Sequence, residues 1–494
     1  MRILLANMPI TFGKKENLEP PLGISYLGAV LKDCGHDVIL KDYEVEDFSQ
    51  EELLAFIKKN IIELVGISFR TASYKSAKIF ANTLRKLEKP VIIVSGGHHA
   101  TAFPEEVIKD LPCDIVVRSE GEYTIKDLVS ILESKKHLSS VKGITYAQGK
   151  NIVRNDERPA ILNLDTLPFP ARKMLPYERY SVATILTSRG CPFSCIYCDK
   201  GVSTRKVKFR SPESVYKEIR EVTNQFPGKR IYFVDDHFFL FKSRLNKIFD
   251  FIESDNHRFN WVCQARVDGV DYEMLNRAKQ AGCDLIMYGI ESGDQGELDY
   301  MRKQTTPEDA RKALIWTKQA GIRARANFML GFPISTHKTI RNTIKFAKSV
   351  PLEVVRFFSV APLPNTELWE RVYGNSIDIS KIEWDKFDFY TPVYSTPELS
   401  SDDILSYVGA GYIHVLKNKV AIELLTFLPR FIRLLYKLFK SGKVRGNISI
   451  VFPSMVNFFI DLSNVVHLKR LGKKINFMIR AIYLEAKISR DRKV

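Results

Sequence analysis

Long uncharged apolar runs are absent from this chain. Its 494 residues contain no uncharged apolar stretch of the roughly 18 residues that a transmembrane helix needs. The opening MRILLANMPI also lacks the apolar core and the small-residue cleavage site of a secretory signal peptide. Seven cysteines in a chain of this length are too few for a disulfide scaffold. We therefore predict a cytoplasmic globular protein of about two to four domains.

Acidic residues are scarce at the C-terminal end. The net charge is +17, and residues 411–494 contribute most of it, with 17 lysines and arginines against four acidic residues. Because the rest of the chain is close to neutral, we predict no nucleic-acid partner. The segment LLTFLPRFIRLLYKLFKSGKVR is basic and amphipathic. It predicts either peripheral contact with an anionic membrane surface or a helix packed on the preceding domain with a solvated basic edge.

The first 140 residues alternate short apolar runs with helix-like segments. The strands are expected in RILLANMP, HDVILKDYE, LVGISF, PVIIVSGG and CDIVVRSEGE. This alternation predicts an α/β fold with a doubly wound parallel sheet of the Rossmann type. Ligands of such sheets lie beyond the carboxyl ends of the strands. We therefore predict that a binding site is formed by Asn7, Ser68, Thr71, Gly96, Gly97, His98, His99 and Glu120.

Three further regions follow. Residues 141–180 predict a linker that contains a small hairpin, VKGITYAQGKNIVRND, and a proline-containing crossing segment. Residues 181–395 show six β/α units, which predict a partial barrel with its functional groups at the carboxyl ends of the strands. Residues 396–494 predict a basic helical region whose first helix begins at Ser400 or Ser401.

A cysteine triplet carries the most specific chemistry. Cys191, Cys195 and Cys198 lie in TSRGCPFSCIYCDKG with CxxxCxxC spacing. Three thiolates can hold three irons of a 4Fe-4S cluster, and the fourth iron then stays open for a substrate or cofactor. The competing interpretations are a zinc site and three unrelated buried thiols. The other cysteines are scattered, and we expect them to pack in the core.

The spacing of the triplet, with Tyr197 before its last cysteine, resembles the radical S-adenosylmethionine enzymes. PPLGISYLGAVLKDCGHDV, SGGHHATAFPEEV and DIVVRSEGE resemble the cobalamin-binding domain that precedes many of them. The resemblance covers roughly residues 1–395 and implies a (β/α)6 radical domain, S-adenosylmethionine and cobalamin. The DxHxxG signature is absent, so the resemblance implies cobalamin without that histidine ligand. The alternatives are that His98 and His99 make only local hydrogen bonds and that the domain binds no cofactor.

The resemblance also implies roles at the barrel strand ends. It implies that Asp235 and Asp236 contact the amino group of S-adenosylmethionine, that Arg266 contacts its carboxylate and that Glu291 contacts its ribose. It implies that the Tyr197 carbonyl and the FMLGFP segment, which contains Phe332, contact the adenine. The alternatives are that the aspartates cap the next element and that Arg266 and Glu291 form a structural ion pair.

The function that the resemblance implies is methyl transfer. S-adenosylmethionine is cleaved reductively to a 5′-deoxyadenosyl radical, and a methyl group passes by way of cobalamin to an unactivated carbon or to phosphorus. The expected partners are a small-molecule or lipid-like substrate and a reductant such as flavodoxin or ferredoxin. The alternatives are an oxidative cyclase or ring-rearranging enzyme, and a non-catalytic cobalamin or redox sensor. A methylthiotransferase would need three more cysteines in the N-terminal domain, where only Cys34 and Cys113 lie.

Overall fold

The structure is a computed structural model that describes residues 1–11, 19–199, 206–374 and 378–416. The elements below belong to one compact unit, residues 1–411, and the final helix continues past its boundary. The basic amphipathic segment predicted at the C-terminal end lies outside the described residues. The described part of the chain contains no helix that is long and apolar enough to cross a membrane.

The N-terminal region forms a twisted sheet covered by helices. Its elements are β1 Arg2–Asn7, α1 Leu22–Asp33, β2 Asp37–Asp42, α2 Gln50–Lys59, β3 Leu64–Ser68, α3 Tyr74–Leu84, β4 Ile92–Gly96, α4 His98–Ala102, α5 Pro104–Asp110, β5 Ile115–Val117, α6 Glu122–Glu133, β6 Ile144–Gln148 and β7 Asn151–Arg154. The strand order is β2-β1-β3-β4-β5-β6-β7, and β1 to β5 are parallel. The doubly wound parallel sheet predicted from the sequence is confirmed.

Burial explains why these segments are strands. Four consecutive residues of β1, from Ile3 to Ala6, are buried, as expected for a parallel strand with helices on both sheet faces. Helix α2 begins where the sequence offers a cap. The Ser49 hydroxyl accepts a hydrogen bond from the Glu52 amide at the start of α2.

The hairpin of β6 and β7 is present, but it belongs to the N-terminal sheet and not to a separate linker. β6 pairs antiparallel with β5, and β7 forms the sheet edge. The guanidinium of buried Arg118 fastens this extension by donating to the Thr145 hydroxyl and to the Asn155 carbonyl, both at 2.6 Å. The sequence pattern carries no signal for that long-range contact.

The second half of the unit is a curved parallel sheet. Its elements are β8 Val182–Ile185, β9 Ser188–Arg189, β10 Lys208–Phe209, α7 Pro212–Gln225, β11 Arg230–Phe233, α8 Lys242–Ser254, β12 Trp261–Ala265, α9 Tyr272–Gln280, β13 Cys283–Glu291, α10 Gln295–Tyr300, α11 Pro307–Gln319, β14 Arg323–Leu330, α12 His337–Ser349, β15 Val354–Ser359, α13 Glu367–Tyr373 and α14 Ser401–Leu416. The strands follow the order β8-β11-β12-β13-β14-β15, with β8 and β15 at the edges. This is the predicted partial (β/α)6 barrel.

The segment after β15 crosses back to the N-terminal sheet. Trp369, Trp384 and Phe387 pack in the same apolar core as Phe69 and Tyr74. The Trp369 and Trp384 rings stack at a centroid distance of 5.8 Å. The two halves of the unit therefore share a hydrophobic core.

Helix α14 is capped by one of the two predicted residues, Ser400 and Ser401. The Ser400 hydroxyl accepts from the Asp403 amide, and the Asp403 carboxylate accepts from the Ser400 amide in return. This reciprocal arrangement satisfies two amide donors at the helix start. Ser400 is therefore the residue that caps α14.

Candidate cofactor site

The cysteine triplet lies in a loop that is fixed at both ends. On one side, β9 pairs with β10, where Arg189 lies opposite Lys208. Within the loop, Ile196 is buried, donates its amide to the Met301 carbonyl and accepts from the Leu368 amide. The apolar Ile196 thus anchors the loop to the barrel, while Cys191 and Cys195 stay half-buried and Cys198 stays exposed.

A guanidinium stands beside the cysteine loop. Arg266 follows β12, and its Nη1 lies 3.9 Å from the Cys195 Sγ. The same group lies over the Phe193 ring at 3.6 Å from the ring centroid. The Asp268 carboxylate binds it at 2.8 and 2.9 Å, and the Lys303 carbonyl accepts from it at 2.7 Å. These two partners hold the guanidinium in place beside the loop.

Glu291 forms an ion pair, but its partner is not Arg266. Its Oε1 lies 3.0 Å from the Lys303 Nζ, and it accepts a hydrogen bond from the Tyr197 hydroxyl at 3.2 Å. The Lys303 ammonium also donates to the Tyr197 oxygen at 3.0 Å. The alternative of an Arg266–Glu291 pair is therefore not what the structure contains. Lys303 escaped the sequence analysis because it lies in a loop, outside every strand end.

The backbone at Glu291 is unusual. Its φ of 69° lies in the left-handed region, which a residue with a side chain rarely adopts. The pairing register with β14 shifts between Gly289 and Glu291, so a bulge turns the strand at this point. The bulge aims the carboxylate at Lys303 and at the cysteine loop.

The two aspartates after β11 differ in surroundings. Asp235 is buried and accepts from the Thr187 amide at 2.6 Å and from the Ser188 hydroxyl at 2.7 Å. Burial raises the pKa of its carboxyl, and these hydrogen bonds oppose the shift. Asp236 is exposed and accepts from the Gly190 amide at 3.2 Å. Asp235 thus holds Thr187 and the start of β9, which precede it in the chain, and these contacts are not a cap on the next element; Asp236 remains accessible.

Phe332, which the sequence predicts beside the adenine, lies in a packed apolar cluster. Phe332 is fully buried, and its ring meets the Tyr197 ring edge-on at 5.9 Å. Both lie in a small cluster with Ile196. This cluster forms an apolar wall beside Glu291.

A cleft opens between the ends of the N-terminal strands and the start of the cysteine loop. It contains about 1310 Å³ of space, part of it open to solvent. The N-terminal sheet contributes five of the predicted residues: Ser68, Gly96, Gly97, His98 and Glu120. The barrel side contributes Ser188, Arg189 and Asp236.

Three predicted residues do not line this cleft. Asn7 donates to the Asp42 carboxylate at 2.8 Å, and Thr71 is buried in the turn after β3. His99 is buried among aromatic rings, 4.6 Å from Tyr74 and 4.7 Å from Trp384 between ring centroids. Burial lowers the pKa of its imidazole to about 3. The sequence placed all three at strand ends, but could not tell which side chains turn inward.

The backbone around Gly97 requires glycine at this position, whether or not a ligand occupies the cleft. Its φ is +101°, and a Cβ at this position would lie 2.5 Å from the Phe69 carbonyl oxygen. A side chain is therefore excluded by the neighbouring backbone before any ligand is considered.

A group of four charged residues, three of them buried and Arg189 partly buried, joins the two sides of the cleft. Glu120 accepts from Lys208 at 2.8 Å and from Arg189 at 3.0 Å, and Arg189 also pairs with Glu122 at 2.5 Å. We name these residues the ionic seam. Burial opposes ionisation of Glu120, but hydrogen bonds from Lys208, the Ile161 amide and Arg189 hold its pKa below the ordinary value. At the rim, the His98 Nδ1 lies 3.0 Å from the Asp199 carboxylate, next to Cys198.

The residues present suit both kinds of cofactor. Three thiols in one anchored loop with a guanidinium at 3.9 Å are a donor set for an iron–sulfur cluster. The cleft is concave, lies at the carboxyl ends of a parallel sheet and combines an apolar floor of Leu5, Val94 and Val117 with polar groups at its rim. Such a cleft can hold a large planar ligand near the cysteine loop.

Comparison with known proteins agrees with this geometry. The Radical SAM superfamily profile matches residues 185–347, and the B12 binding domain profile matches residues 9–129. A methyltransferase of Pyrococcus horikoshii, named as uncharacterised, is 31% identical over 434 residues, which are 86% of this chain and 94% of that protein. The chain belongs to the cobalamin-dependent radical S-adenosylmethionine family. It is thus an enzyme whose cofactors are a 4Fe-4S cluster, S-adenosylmethionine and cobalamin, and the zinc alternative is set aside.

Two further similarities are to a curated enzyme and to a solved structure. The anaerobic magnesium-protoporphyrin IX monomethyl ester cyclase of Rubrivivax gelatinosus is 26% identical over 420 residues, which are 82% of this chain and 75% of the cyclase. The solved structure of the cobalamin-dependent radical enzyme OxsB, with aqua-cobalamin and S-adenosylmethionine bound, matches with a TM-score of 0.71 at 17% identity. That match covers 99% of this chain and 80% of OxsB, and it shows a shared fold.

Proposed function

We propose that the enzyme is a methyltransferase that acts on an unactivated carbon, or on phosphorus, of a small or lipid-like substrate. When bound, the cluster supplies the electron that cleaves S-adenosylmethionine, and cobalamin carries the methyl group. The observation that carries the proposal is the cleft lined by both halves of the unit, with Arg189 two residues before the first cysteine of the triplet. Its relation to a named methyltransferase supports the same reaction.

Cys191, Cys195 and Cys198 are the proposed iron ligands. Arg266 is the proposed partner of the carboxylate of S-adenosylmethionine, because its guanidinium already lies beside Cys195. Its Nε and Nη2 donate to Asp268 and to the Lys303 carbonyl, so Nη1 is the donor proposed for that carboxylate. Asp236 is preferred to Asp235 for the amino group, since Asp235 is buried and bonded to Thr187 and Ser188.

Glu291 is the proposed ribose contact, and Lys303 has the role of holding its carboxylate in place. The apolar wall of Phe332 and Tyr197 suits the adenine, as the sequence predicts. For cobalamin we propose the cleft residues Ser68, Gly96, Gly97, His98 and Glu120. Asn7, Thr71 and His99 are left out of this proposal because they do not line the cleft.

The test counts the two products of S-adenosylmethionine. The full chain is reconstituted anaerobically with iron and sulfide, loaded with hydroxocobalamin and incubated with S-adenosylmethionine and titanium citrate. A methyltransferase forms S-adenosylhomocysteine when it gives up the methyl group and 5′-deoxyadenosine when it makes the radical. Both products, with about one corrinoid retained per chain, support the proposal. The absence of both products would identify a cobalamin or redox sensor.

Oxidative cyclisation is the second candidate, because of the similarity to the magnesium-porphyrin cyclase. A cyclase consumes S-adenosylmethionine without transferring its methyl group. It therefore forms 5′-deoxyadenosine without S-adenosylhomocysteine, and this ratio separates the two reactions.

The proposed setting is the cytoplasm, with flavodoxin or ferredoxin as the electron donor. A peripheral membrane contact through the basic C-terminal region is part of the proposal, because that region carries most of the net charge. Deleting residues 420–494 should abolish binding to anionic liposomes. Unchanged binding, or no binding by the intact chain, would exclude the membrane contact.

A further inference from the structure

The concave face of the barrel carries an unusual set of polar side chains. Along β14, Ala324, Ala326 and Phe328 are buried, and the Phe328 ring lies against Phe346 of helix α12. Side chains alternate between the faces of a strand, so Arg325 and Asn327 project from the opposite, concave face.

Strand register extends this face sideways. Arg325 lies opposite Met287 of β13, and Asn327 lies opposite Arg356 of β15. Met287 in turn lies opposite Gln264 of β12. Neighbouring residues in a parallel sheet project from the same face, so these five side chains line one surface.

Two arginines on this surface form no ion pair with a carboxylate of the described residues. Two other arginines at the start of barrel strands are paired: Arg323, two residues before Arg325, binds Asp284, and Arg230 binds Asp284 at 2.8 Å. Arg325 donates instead to the Asn327 side-chain oxygen at 3.2 Å, and no ion pair links Arg325 or Arg356 to a described carboxylate. Burial, followed by the charge of Arg356, lowers the pKa of Arg325.

The surroundings can accommodate a ligand. Arg356 and Gln264 are exposed, while Arg325 is half-buried. The Gln264 amide donates to the Tyr232 hydroxyl, and Tyr232, Val262 and Met287 form an apolar floor. Positive charge above an apolar floor suits a molecule with an anionic end and a hydrocarbon body.

The carboxylate of Glu19 interacts electrostatically with both arginines. Glu19 precedes α1, and its charge acts on both Arg325 and Arg356. Surrounding protein atoms raise the pKa of its carboxyl, while Arg325, Arg70 and Arg356 oppose that shift. Arg70 has a partner of its own, Glu44, at 2.8 Å. Glu19 therefore competes with any anion that enters this surface.

We propose that Arg325 and Arg356 bind an oxyanion group, a carboxylate or a phosphate, of the enzyme's substrate on the concave face of the barrel. This proposal rests on the proposed function, since it assigns a substrate class to the same enzyme. Arginine presents a planar fork of donors that matches both groups, and Asn327 and Gln264 offer further donors beside them.

The position of the site along the strand fits substrate recognition away from the reaction. Phe328 lies opposite Glu291, and Arg325 precedes Phe328 by three residues. At about 3.3 Å per residue, Arg325 therefore lies about 10 Å below the level of Glu291. An oxyanion held there would leave the rest of an extended substrate directed toward the cysteine loop.

The test measures binding of two simple probes to the full, reconstituted chain. Inorganic phosphate and pentanoate are titrated separately by calorimetry at low ionic strength. Binding of either probe is expected to weaken about 10- to 100-fold in Arg325→Gln and in Arg356→Gln, because each loses a charge-assisted contact. Glu19→Gln should tighten binding, since it removes the competing charge. Phosphate alone would indicate a phosphorylated substrate, and pentanoate alone a carboxylated one.

Arg323→Gln is the matched control, because it removes an arginine of the same strand that already has an acid partner. It should leave probe binding unchanged. If neither probe binds, or if Arg325→Gln and Arg356→Gln bind as well as the parent, the proposal is refuted. Should either arginine variant unfold, Glu19→Gln decides: tighter binding supports the site, and unchanged binding refutes it.

The outcome is independent of the test of the proposed function. Probe binding requires no electron transfer and no product formation. If the probes do not bind but both products of S-adenosylmethionine form, only the oxyanion site is refuted. Probe binding that depends on the arginines, in an enzyme that forms no S-adenosylhomocysteine, would refute only methyl transfer.

Discussion

Replacing Glu120 with glutamine should weaken the junction between the N-terminal sheet and the cysteine loop. Glu120 is 7% exposed, and its two oxygens accept from Lys208, Arg189 and the Ile161 amide. Glutamine keeps the shape but removes the negative charge. Arg189 retains Glu122 as a partner, so the main consequence is that the Lys208 ammonium, which is also buried, loses its counter-charge.

Removing one partner of a buried ion pair typically costs about 3–5 kcal/mol. We expect a loss near the lower end, about 3 kcal/mol, because glutamine can still accept hydrogen bonds at one oxygen. The assay is urea unfolding followed by tryptophan fluorescence, without added cobalamin, so that cofactor binding does not contribute. Glu367→Gln is the control: Glu367 pairs with Arg302 and Arg371 at the surface, with its side chain 35% exposed, and its loss should cost less than about 1 kcal/mol.

Acidity provides a second test of the same residue. The folded-state pKa of Glu120 is lower than its ordinary value of 4.5. Its contribution to stability is therefore complete above pH 4.5 and is lost as the pH falls through the lower folded-state value. The difference between the parent and Glu120→Gln should shrink in that window. Equal urea midpoints for Glu120→Gln and Glu367→Gln at pH 7 would refute the importance of the ionic seam.

Three further predictions concern single residues. Cys195→Ala should abolish 5′-deoxyadenosine formation and leave retention of cobalamin, measured by absorption, intact; loss of both would indicate misfolding. Gly97→Ala should lower the melting temperature, because its Cβ would lie 2.5 Å from the Phe69 oxygen and its φ of +101° adds strain of about 1–3 kcal/mol. The folded-state pKa of His99 is about 3 against an ordinary 6.5, so stability is lost as the pH falls below 6.5; at pH 5 the loss is about 2 kcal/mol. His99→Leu should therefore reduce the difference between urea midpoints at pH 7 and pH 5, and an unchanged difference would contradict the buried neutral state.

The order of strands and helices could be predicted from local pattern alone. Every strand of β1 to β5 falls inside the apolar run that predicts it, and the barrel sheet contains the six strands of the predicted β/α units. Parallel sheets buried on both faces leave this signal because their strands are continuous apolar runs between amphipathic helices. The cysteine triplet is likewise a local pattern, so the sequence alone is enough to locate it.

Side-chain direction at strand ends could not be predicted in the same way. His98 and His99 are adjacent, yet His98 lines the cleft and His99 is buried against Trp384, which is remote in sequence. Asp235 and Asp236 divide in the same manner between a buried network and an accessible position. In each pair the decision rests on packing partners far along the chain, and neither composition nor periodicity contains that information.

The charges missed by the sequence analysis have a common physical reason. Arg189, Lys208 and Lys303 are long basic side chains of the kind normally found at the surface, and only long-range pairing with Glu120, Glu122 and Glu291 allows their burial. From the local sequence pattern, such residues are predicted to be exposed to solvent. An acidic residue at the end of a buried strand is the available clue, because a carboxylate there requires a basic partner from elsewhere in the fold.

The cysteine loop is fastened to both halves of the unit, and this has a consequence for the reaction. Arg189 ties the loop to the N-terminal sheet, and Ile196 ties it to the barrel through Met301 and Leu368. The Tyr180 hydroxyl adds a further link by donating to the Asp42 carboxylate at 2.8 Å. A change in the distance between the sheet and the barrel would therefore have to deform the loop that carries the triplet. With the cluster on the triplet and cobalamin in the cleft, as proposed, the ionic seam and the Ile196 anchor would together limit changes in the separation on which transfer between them depends.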